Sequence, residues 1–179
     1  MAITLSSSQS STLEPMRKNR WVMQFTTVPG SISGPDKLAF FAHTASRPTQ
    51  TYTQTEYQRL NERFYMAGKM TWSELTMTFY DFMQGTDSVS NILYTWSNVI
   101  YNPVTGQMGF KKDYATSATL AMLDPAGGIV QTWNYFYIWP ATLTFGDLSA
   151  DEDGLCEVSA TFKYDFAIKG TDVASPSAA

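Results

Sequence analysis

The clearest pattern in the chain is an alternation of apolar and polar residues over positions 155–168. The even positions from 156 to 166 are mostly apolar, whereas the odd positions carry Glu157, Ser159, Thr161, Lys163 and Asp165. A period of two sustained over about ten residues predicts a strand with one buried face. The preceding run, residues 133–147, is apolar on both faces and contains Pro140. Because proline cannot donate a ladder hydrogen bond, we expect that strand to end or bend there.

The remaining patterns also favour β-structure. Strands are predicted at residues 20–26, 38–47, 73–80, 116–123 and 129–139, separated by turns rich in Gly and Pro. Residues 88–101 instead place six apolar side chains at helical spacing: Val89, Ile92, Leu93, Trp96, Val99 and Ile100. Thr86, Asp87 or Ser88 can cap this helix, and Asn102-Pro103 ends it. The predicted fold is therefore mostly β, an antiparallel barrel or sandwich with one amphipathic α-helix.

Residues 49–67 differ from the other strand candidates because they lack an apolar face. Residues 49–58 alternate Thr with polar or aromatic side chains, and residues 63–67 can pair back with them before a turn at 68–71. The segment is either an extended arm that contacts a neighbouring subunit or an ordinary solvent-facing hairpin. In the first case the candidate contact residues are Gln54, Glu56, Tyr57, Arg59, Asn61 and Arg63.

Length and composition indicate one domain with short arms. The chain has 179 residues, enough for one substantial core. Residues 1–18 and 170–179 are rich in Ser, Thr and Ala without a period, so we expect flexible arms around a domain at 19–169. Twelve basic and 16 acidic residues accompany 11 Phe, 10 Tyr and 5 Trp. Few charges together with many Thr, Tyr and Phe favour a β protein, or a protein that covers much of its surface with copies of itself.

Charge and cysteine content exclude several classes. A net charge of −4 argues against a dedicated nucleic-acid binder. Neither a transmembrane run nor a secretory signal is present, so we expect a soluble protein made in a cytoplasm, with no membrane partner. The single Cys156 excludes an intramolecular disulfide, and its place in the alternation predicts a small buried hydrophobe.

No pattern predicts chemistry. His43 is the single histidine and lies within a predicted strand, so neither a catalytic triad nor a soft-metal site is expected. The acidic residues 151–153 resemble part of a calcium loop, but position 162, where the bidentate glutamate would stand, is Phe162. We expect no catalytic residues, no metal and no cofactor, and hence no enzyme.

Several stretches, taken in order, resemble the tail tube proteins of contractile-tailed bacteriophages of the T4 type. The matching stretches are residues 19–25, 40–49, 65–80 with its Ala67-Gly68 turn, 81–101, and Ile138-Trp139-Pro140. Each motif alone is weak, but together they cover residues 19–168 in the family's order.

The resemblance implies a structural subunit that forms hexameric rings. These rings stack into a hollow tube inside a contractile sheath, and DNA passes through without specific binding during ejection. The implied partners are the subunit itself, the tail sheath protein, the tape measure protein and the baseplate or hub proteins. The implied location is the virion tail, assembled in the host cytoplasm. In such a ring, the odd face from Glu157 to Asp165 is a candidate for the lumen wall or a subunit seam.

Two alternatives remain open at this stage. The same fold serves the tubes of type VI secretion systems and related injection particles, so the chain could be a tube subunit of such a particle. A carbohydrate-binding β-sandwich would instead use exposed aromatics such as Tyr52, Tyr57 and Tyr65. For a tube that conducts DNA, we expect a lumen of neutral or negative charge, because a basic wall would hold phosphates by counterion release.

Overall fold

A computed structural model describes residues 15–31, 34–83, 85–151 and 153–170. The predicted arms at 1–18 and 170–179 lie largely outside these residues. Within them the chain forms nine strands and three α-helices. The strands are β1 (Trp21–Phe25), β2 (Ala42–Ala45), β3 (Gln50–Arg59), β4 (Glu62–Trp72), β5 (Leu75–Tyr80), β6 (Thr116–Leu123), β7 (Ile129–Thr144), β8 (Glu157–Lys163) and β9 (Phe166–Lys169). The helices are α1 (Gly34–Phe41), α2 (Val89–Ile100) and α3 (Lys111–Tyr114), with a 3₁₀ turn at Gly85–Asp87.

Seven strands form one antiparallel sheet. Its path is β1-β6-β7-β8-β5-β2, and β9 pairs with β7 beside this path. Strand β7 is 16 residues long, and its first part pairs with β6 and β9 while its last part pairs with β8. Between the two parts Tyr137 has a φ of +57°, the left-handed region that a bulky side chain rarely adopts. The mostly antiparallel β fold predicted from the sequence is confirmed.

The core lies on the inner face of this curved sheet and is closed by helix α2. Ser88 caps the helix, since its side chain accepts a hydrogen bond from the Asn91 backbone N–H at 3.3 Å. Fully buried Trp96 places its ring 5.8 Å from the rings of both Phe25 and Phe162. The Phe25 and Phe162 rings are themselves 5.5 Å apart, so β1 and β8 face each other across the core. The predicted helix is therefore correct in position and in buried face.

A pair of buried tyrosines lies in the same core. The rings of Tyr135 and Tyr164 meet edge to face with centroids 5.0 Å apart, and neither hydroxyl has a hydrogen-bond partner among the described residues. Burial raises the pKa of Tyr164 to about 12. Burial, together with the neighbouring Tyr164, raises the pKa of Tyr135 further.

The predicted strand at 38–47 is wrong over its first part. Helix α1 occupies Gly34–Phe41, and only the short β2 follows. Pro35 stands at the start of the helix, where its missing N–H costs nothing, and Asp36 lies in the first turn near the positive end of the helix dipole. Leu38 and Phe41, three residues apart, are the buried face. Helix α1 and the four-residue α3 are thus additional to the one predicted helix.

At Pro140, where the sequence predicted that the strand ends or bends, the strand bends and continues. Strand β7 continues past Pro140 to Thr144, with a bulge between Pro140 and Thr142. Residues 139–144 pair only with β8 within the described chain, so proline lies on an edge, where it is tolerated. The turn predicted at 68–71 is also strand: β4 runs on to Trp72, with a bulge beside Gly68.

The closing run, predicted as one strand, is two. Strands β8 and β9 are separated at Tyr164 and Asp165, and beyond that point the buried position moves from even to odd numbers, so Ala167 is buried. Asp165 therefore lies at the corner and not on the face of β8. Cys156 precedes β8 and is exposed, so its predicted burial was wrong.

Candidate assembly surfaces

Strands β3 and β4 form a separate two-stranded hairpin that the rest of the described chain does not cover. Every residue of β3 is exposed, and so is every residue of β4 except half-buried Trp72 at its base. Outside that base the two strands pair only with each other. Because an isolated two-stranded hairpin is marginally stable in water, this arm receives little stabilisation from the described part of its own chain.

The register of the hairpin divides the predicted contact residues between two faces. Gln54 and Glu56 lie opposite Ala67 and Tyr65 on one face, which also carries Arg63. Glu56 forms an exposed ion pair with Arg63 at 3.4 Å, and exposed pairs of this kind stabilise little on their own.

The opposite face carries Tyr57, stacked on Phe64 with ring centroids 5.1 Å apart, and Arg59 opposite Glu62. Asn61 lies in the two-residue turn. The structure thus brings all six predicted residues into one arm but not onto one surface. Since Tyr52 and Tyr65 lie on the face away from Tyr57, the three tyrosines form no common platform for a sugar.

A second surface is the outer face of β2, β5, β8 and the end of β7, which we call the hydroxyl face. Seven Ser or Thr side chains share it by register: Thr44, Thr76, Thr78, Thr142, Thr144, Ser159 and Thr161. The hydroxyls of Thr78 and Ser159 lie 3.5 Å apart across β5 and β8. Two of the residues predicted for a lumen or seam, Ser159 and Thr161, are therefore at the centre of this face.

The charges lie at the ends of the hydroxyl face. Glu157 is exposed at one end of β8, opposite Tyr80. At the other end Lys163 forms an exposed ion pair with Glu74 at 3.2 Å. Asp165, beyond this end, instead accepts a hydrogen bond from the Lys111 ammonium at 2.7 Å. The face is therefore polar, with nearly balanced charge.

The four strands of the hydroxyl face end in two open edges. Strand β2 pairs only with β5, and residues 139–144 of β7 pair only with β8 in the part of the chain that the structure describes. Each edge therefore presents backbone N–H and C=O groups without a strand partner. Such edges invite pairing with another chain.

One exposed apolar cluster was not predicted. Phe40 is 82% exposed, beside Phe41 and Phe82, whose rings stack 4.1 Å apart. The strand predicted at residues 38–47 did not reveal this cluster, because the exposure of Phe40 follows from the helix, whose buried face contains Leu38 and Phe41. The Gly34-Pro35-Asp36 sequence is the signal that could have revealed this helix.

Catalytic and metal-binding groups are sparse. His43 lies 3.3 Å from the Tyr80 hydroxyl on the exposed side of β2, and no carboxylate or thiol of the described residues is hydrogen-bonded to it. No cluster of three or more His, Cys, Asp or Glu side chains suited to a metal occurs among the described residues. Within those residues no helix has the length and apolar character needed to cross a membrane.

Comparison by sequence finds no relative. No protein-family model matches this chain, and no curated protein is detectably similar to it in sequence.

Comparison by structure finds chains of similar fold. A chain of the PVC sheath–tube complex, an extracellular contractile injection system in the extended state, aligns over 96% of this chain and 100% of its own (19% identity, TM-score 0.66). A chain of the anti-feeding prophage cap, which terminates the tube, aligns over 95% and 100% (17%, 0.69). A chain of the PVC sheath/tube terminator aligns over 88% and 98% (20%, 0.67). The chain therefore has the tail-tube-like fold of contractile injection systems, as the sequence resemblance implied.

Proposed function

We propose that this chain is a structural subunit of the inner tube of a contractile particle, with no catalytic role. The observation that carries the proposal is the uncovered hairpin β3–β4 on a core with the tube fold. An arm without a buried face has no stabilising role inside the subunit, so it acts in contacts between subunits. In this proposal Gln54, Glu56, Tyr57, Arg59, Asn61 and Arg63 contact the adjacent subunit or ring.

The two open edges support a closed ring. In a ring, the β2 edge of one subunit pairs with the β7 edge of the next, which satisfies both rows of backbone groups and removes the aggregation hazard. The four strands between these edges then form a continuous wall, with the hydroxyl face turned to one side. We assign that side to the lumen, which places Ser159 and Thr161 on the lumen wall.

The chemistry of the hydroxyl face suits passage without binding. Its hydroxyls are uncharged, and Lys163 is paired with Glu74. A polyanion such as DNA meets few cations on this face. Few of the counterions condensed on the polyanion are therefore released, and it can slide along the wall without being held. This supports the finer proposal of a phage tail tube, in the virion, that conducts DNA inside a sheath. The tape measure and baseplate proteins would be its further partners.

A second candidate is the tube or cap of an injection particle that carries another cargo. It is favoured by the sheath–tube, cap and terminator chains found by structural comparison. Nucleic-acid and protein content of sealed particles that contain this subunit separates the two candidates, since only the phage tail is continuous with a DNA-filled head.

Electron microscopy of the purified protein at high concentration tests what both candidates have in common, namely that the chain assembles into a tube. We expect rings or tubes of uniform diameter. Replacing residues 54–67 by a short Gly-Ser turn removes the arm while leaving Trp72 on the core. The shortened variant should unfold in urea at the same concentration as the unaltered protein but form no tubes. A matched control is Val104→Ser, at a loop position that is 92% exposed, which should assemble normally.

Two results would contradict the proposal. One is a strictly monomeric protein at every concentration and salt tested. The other is normal tube formation by the shortened variant, which would overturn the part of the proposal that assigns the arm to contacts between subunits.

A further inference from the structure

A groove runs beside the open β2 edge, between that strand and the chain entering β1. It consists of two adjoining cavities of about 340 and 550 Å³ that share Lys18, Trp21 and His43 as lining residues. The smaller cavity extends to Leu120 and Met122, and the larger to Phe40 and its neighbours. Together they are large enough for several side chains of a docked segment.

The groove combines an apolar lining with positive charge. Trp21, Leu120 and Phe40 supply apolar surface, whereas Lys18 and Arg47 are exposed cations at its border. No Asp or Glu is among the described residues that line these two cavities. A ligand that fits must therefore present apolar side chains together with carboxylates.

The loop at residues 145–151 has those properties. It follows the other open edge, at the end of β7. Leu148 is 86% exposed and Phe145 is also exposed, while Asp147 and Asp151 supply carboxylates and no basic residue intervenes. Gly146 turns the chain there with a φ of +75°, and a Cβ at this position would come within 2.5 Å of the Glu157 carbonyl oxygen. A turn that requires glycine at position 146 therefore fixes the direction in which the loop leaves β7.

We propose that residues 145–151 of one copy dock into the groove beside β2 of the next copy. This inference rests on the proposed function, since it identifies the side-chain contact that accompanies edge pairing. The groove lies at the β2 end and the loop at the β7 end of the path β7-β8-β5-β2, so pairing of these two edges between copies brings the loop of one copy beside the groove of the next. A head-to-tail contact between two different patches leaves one loop free on one copy of a pair and one groove free on the other, so further copies can add until a ring closes.

The two components of the contact have separate roles. Leu148 and Phe145 leave water for the apolar lining, which supplies most of the affinity. Asp147 and Asp151 face Lys18 and Arg47, and such charges at the border of an interface chiefly set orientation, association rate and salt dependence. Assembly driven in this way weakens as salt rises, although less than a contact made by charges alone.

Charge reversal in both directions tests the inference. We compare the groove variant Lys18→Glu/Arg47→Glu, the loop variant Asp147→Lys/Asp151→Lys, and the combined variant that carries all four changes. The groove variant and the loop variant should each raise the protein concentration for half-maximal assembly by about tenfold or more, because like charges then meet at the contact. The combined variant should return to within about threefold of the unaltered protein. Light scattering and sedimentation velocity measure the assembly.

The experiment needs two controls, a charge reversal outside the groove and a check that each variant is folded. Lys112→Glu reverses the charge of a cation on α3, away from the groove, and should leave assembly unchanged. Circular dichroism establishes that each variant is folded. Assembly of both single reversals at the unaltered concentration overturns the docking contact but leaves the tube proposal intact. Failure of the combined variant to recover, although folded, also overturns the contact. An unaltered protein that never assembles overturns the tube proposal itself.

Discussion

The core and the hairpin β3–β4 differ in how far their apolar side chains are buried. In the core, apolar side chains from six strands and from helices α1 and α2 are almost completely removed from water. In the hairpin, aromatic and methionine side chains such as Tyr65 and Met66 remain exposed on an arm that packs on nothing beyond its base. The core is thus complete within one chain, whereas the apolar side chains of the arm are not covered by the rest of the described chain. Stability and assembly should therefore respond to different substitutions.

The largest expected effect comes from the core. Trp96→Ala removes a fully buried ring that contacts Phe25 and Phe162, together with the hydrogen bond from its indole N–H to the Tyr114 carbonyl oxygen at 2.8 Å. The free energy of unfolding should fall by about 3–5 kcal/mol, as for other large-to-Ala changes in cores. Urea denaturation measures it, with Tyr94→Ala on the exposed side of the same helix as the control. A loss below about 1 kcal/mol would mean that α2 is not part of the core.

The buried tyrosines should make the folded protein less stable at alkaline pH. An unfolded tyrosine ionises near pH 10, whereas burial raises the pKa of Tyr164 to about 12 in the folded protein. Above pH 10 the unfolded state releases this proton and the folded state keeps it. Stability is therefore fully present below pH 10 and is lost as pH rises toward 12, by up to about 1.4 kcal/mol per unit for each tyrosine.

Removal of the Tyr164 hydroxyl tests this pH dependence of stability. In Tyr164→Phe the fall in unfolding free energy between pH 10 and 12 should be shallower, and stability at pH 7 should be unchanged or higher because an unpaired buried hydroxyl is removed. Urea titrations at each pH give the slopes. The exposed Tyr94→Phe should match the unaltered protein. Equal slopes for Tyr164→Phe and the unaltered protein would contradict the assignment.

The smallest effect on stability is expected in the hairpin. Tyr57→Ala removes the stack on Phe64, yet the unfolding free energy should change by no more than about 0.5 kcal/mol, because both residues are exposed and the arm is not part of the core. Amide exchange in β3 and β4 should nevertheless become faster, since the stack is a cross-strand contact of the arm. Gln54→Ala, on the opposite face, is the control. A loss of 2 kcal/mol or more would show that the arm and the core unfold together.

Sequence patterns predicted the elements whose burial is one-sided. The alternation around Val158 to Phe162 and the helical stripe of α2 each reflect a single buried face, and both were found as predicted. The hairpin was anticipated because its strands lack an apolar face. The family resemblance, from short ordered motifs, indicated the fold correctly although sequence comparison finds no relative.

The other elements depend on contacts that a local pattern does not contain. Residues 38–41 are all apolar, a short run that fits a buried strand as well as a helix, but Leu38 and Phe41 bury a helical face once Pro35 starts the turn. Pro140 is accepted in β7 because its strand is an edge there, which only the sheet order reveals. The hydroxyl face likewise requires the register of four strands that are distant in sequence. The predicted site residues are therefore placed by the structure, while their contacts with other subunits remain a prediction.

Strand β7 has a mechanical consequence. Its 16 residues are hydrogen-bonded to β6 and β9 on one side of the Tyr137 corner and to β8 on the other, so one continuous backbone belongs to both halves of the barrel. A load that pulls the halves apart is carried by covalent bonds and by a row of hydrogen bonds strained together, not by side-chain packing that yields one contact at a time. A wall assembled from such subunits would transmit a sudden axial push as a stiff shell, and its weakest joints would be the seams between subunits.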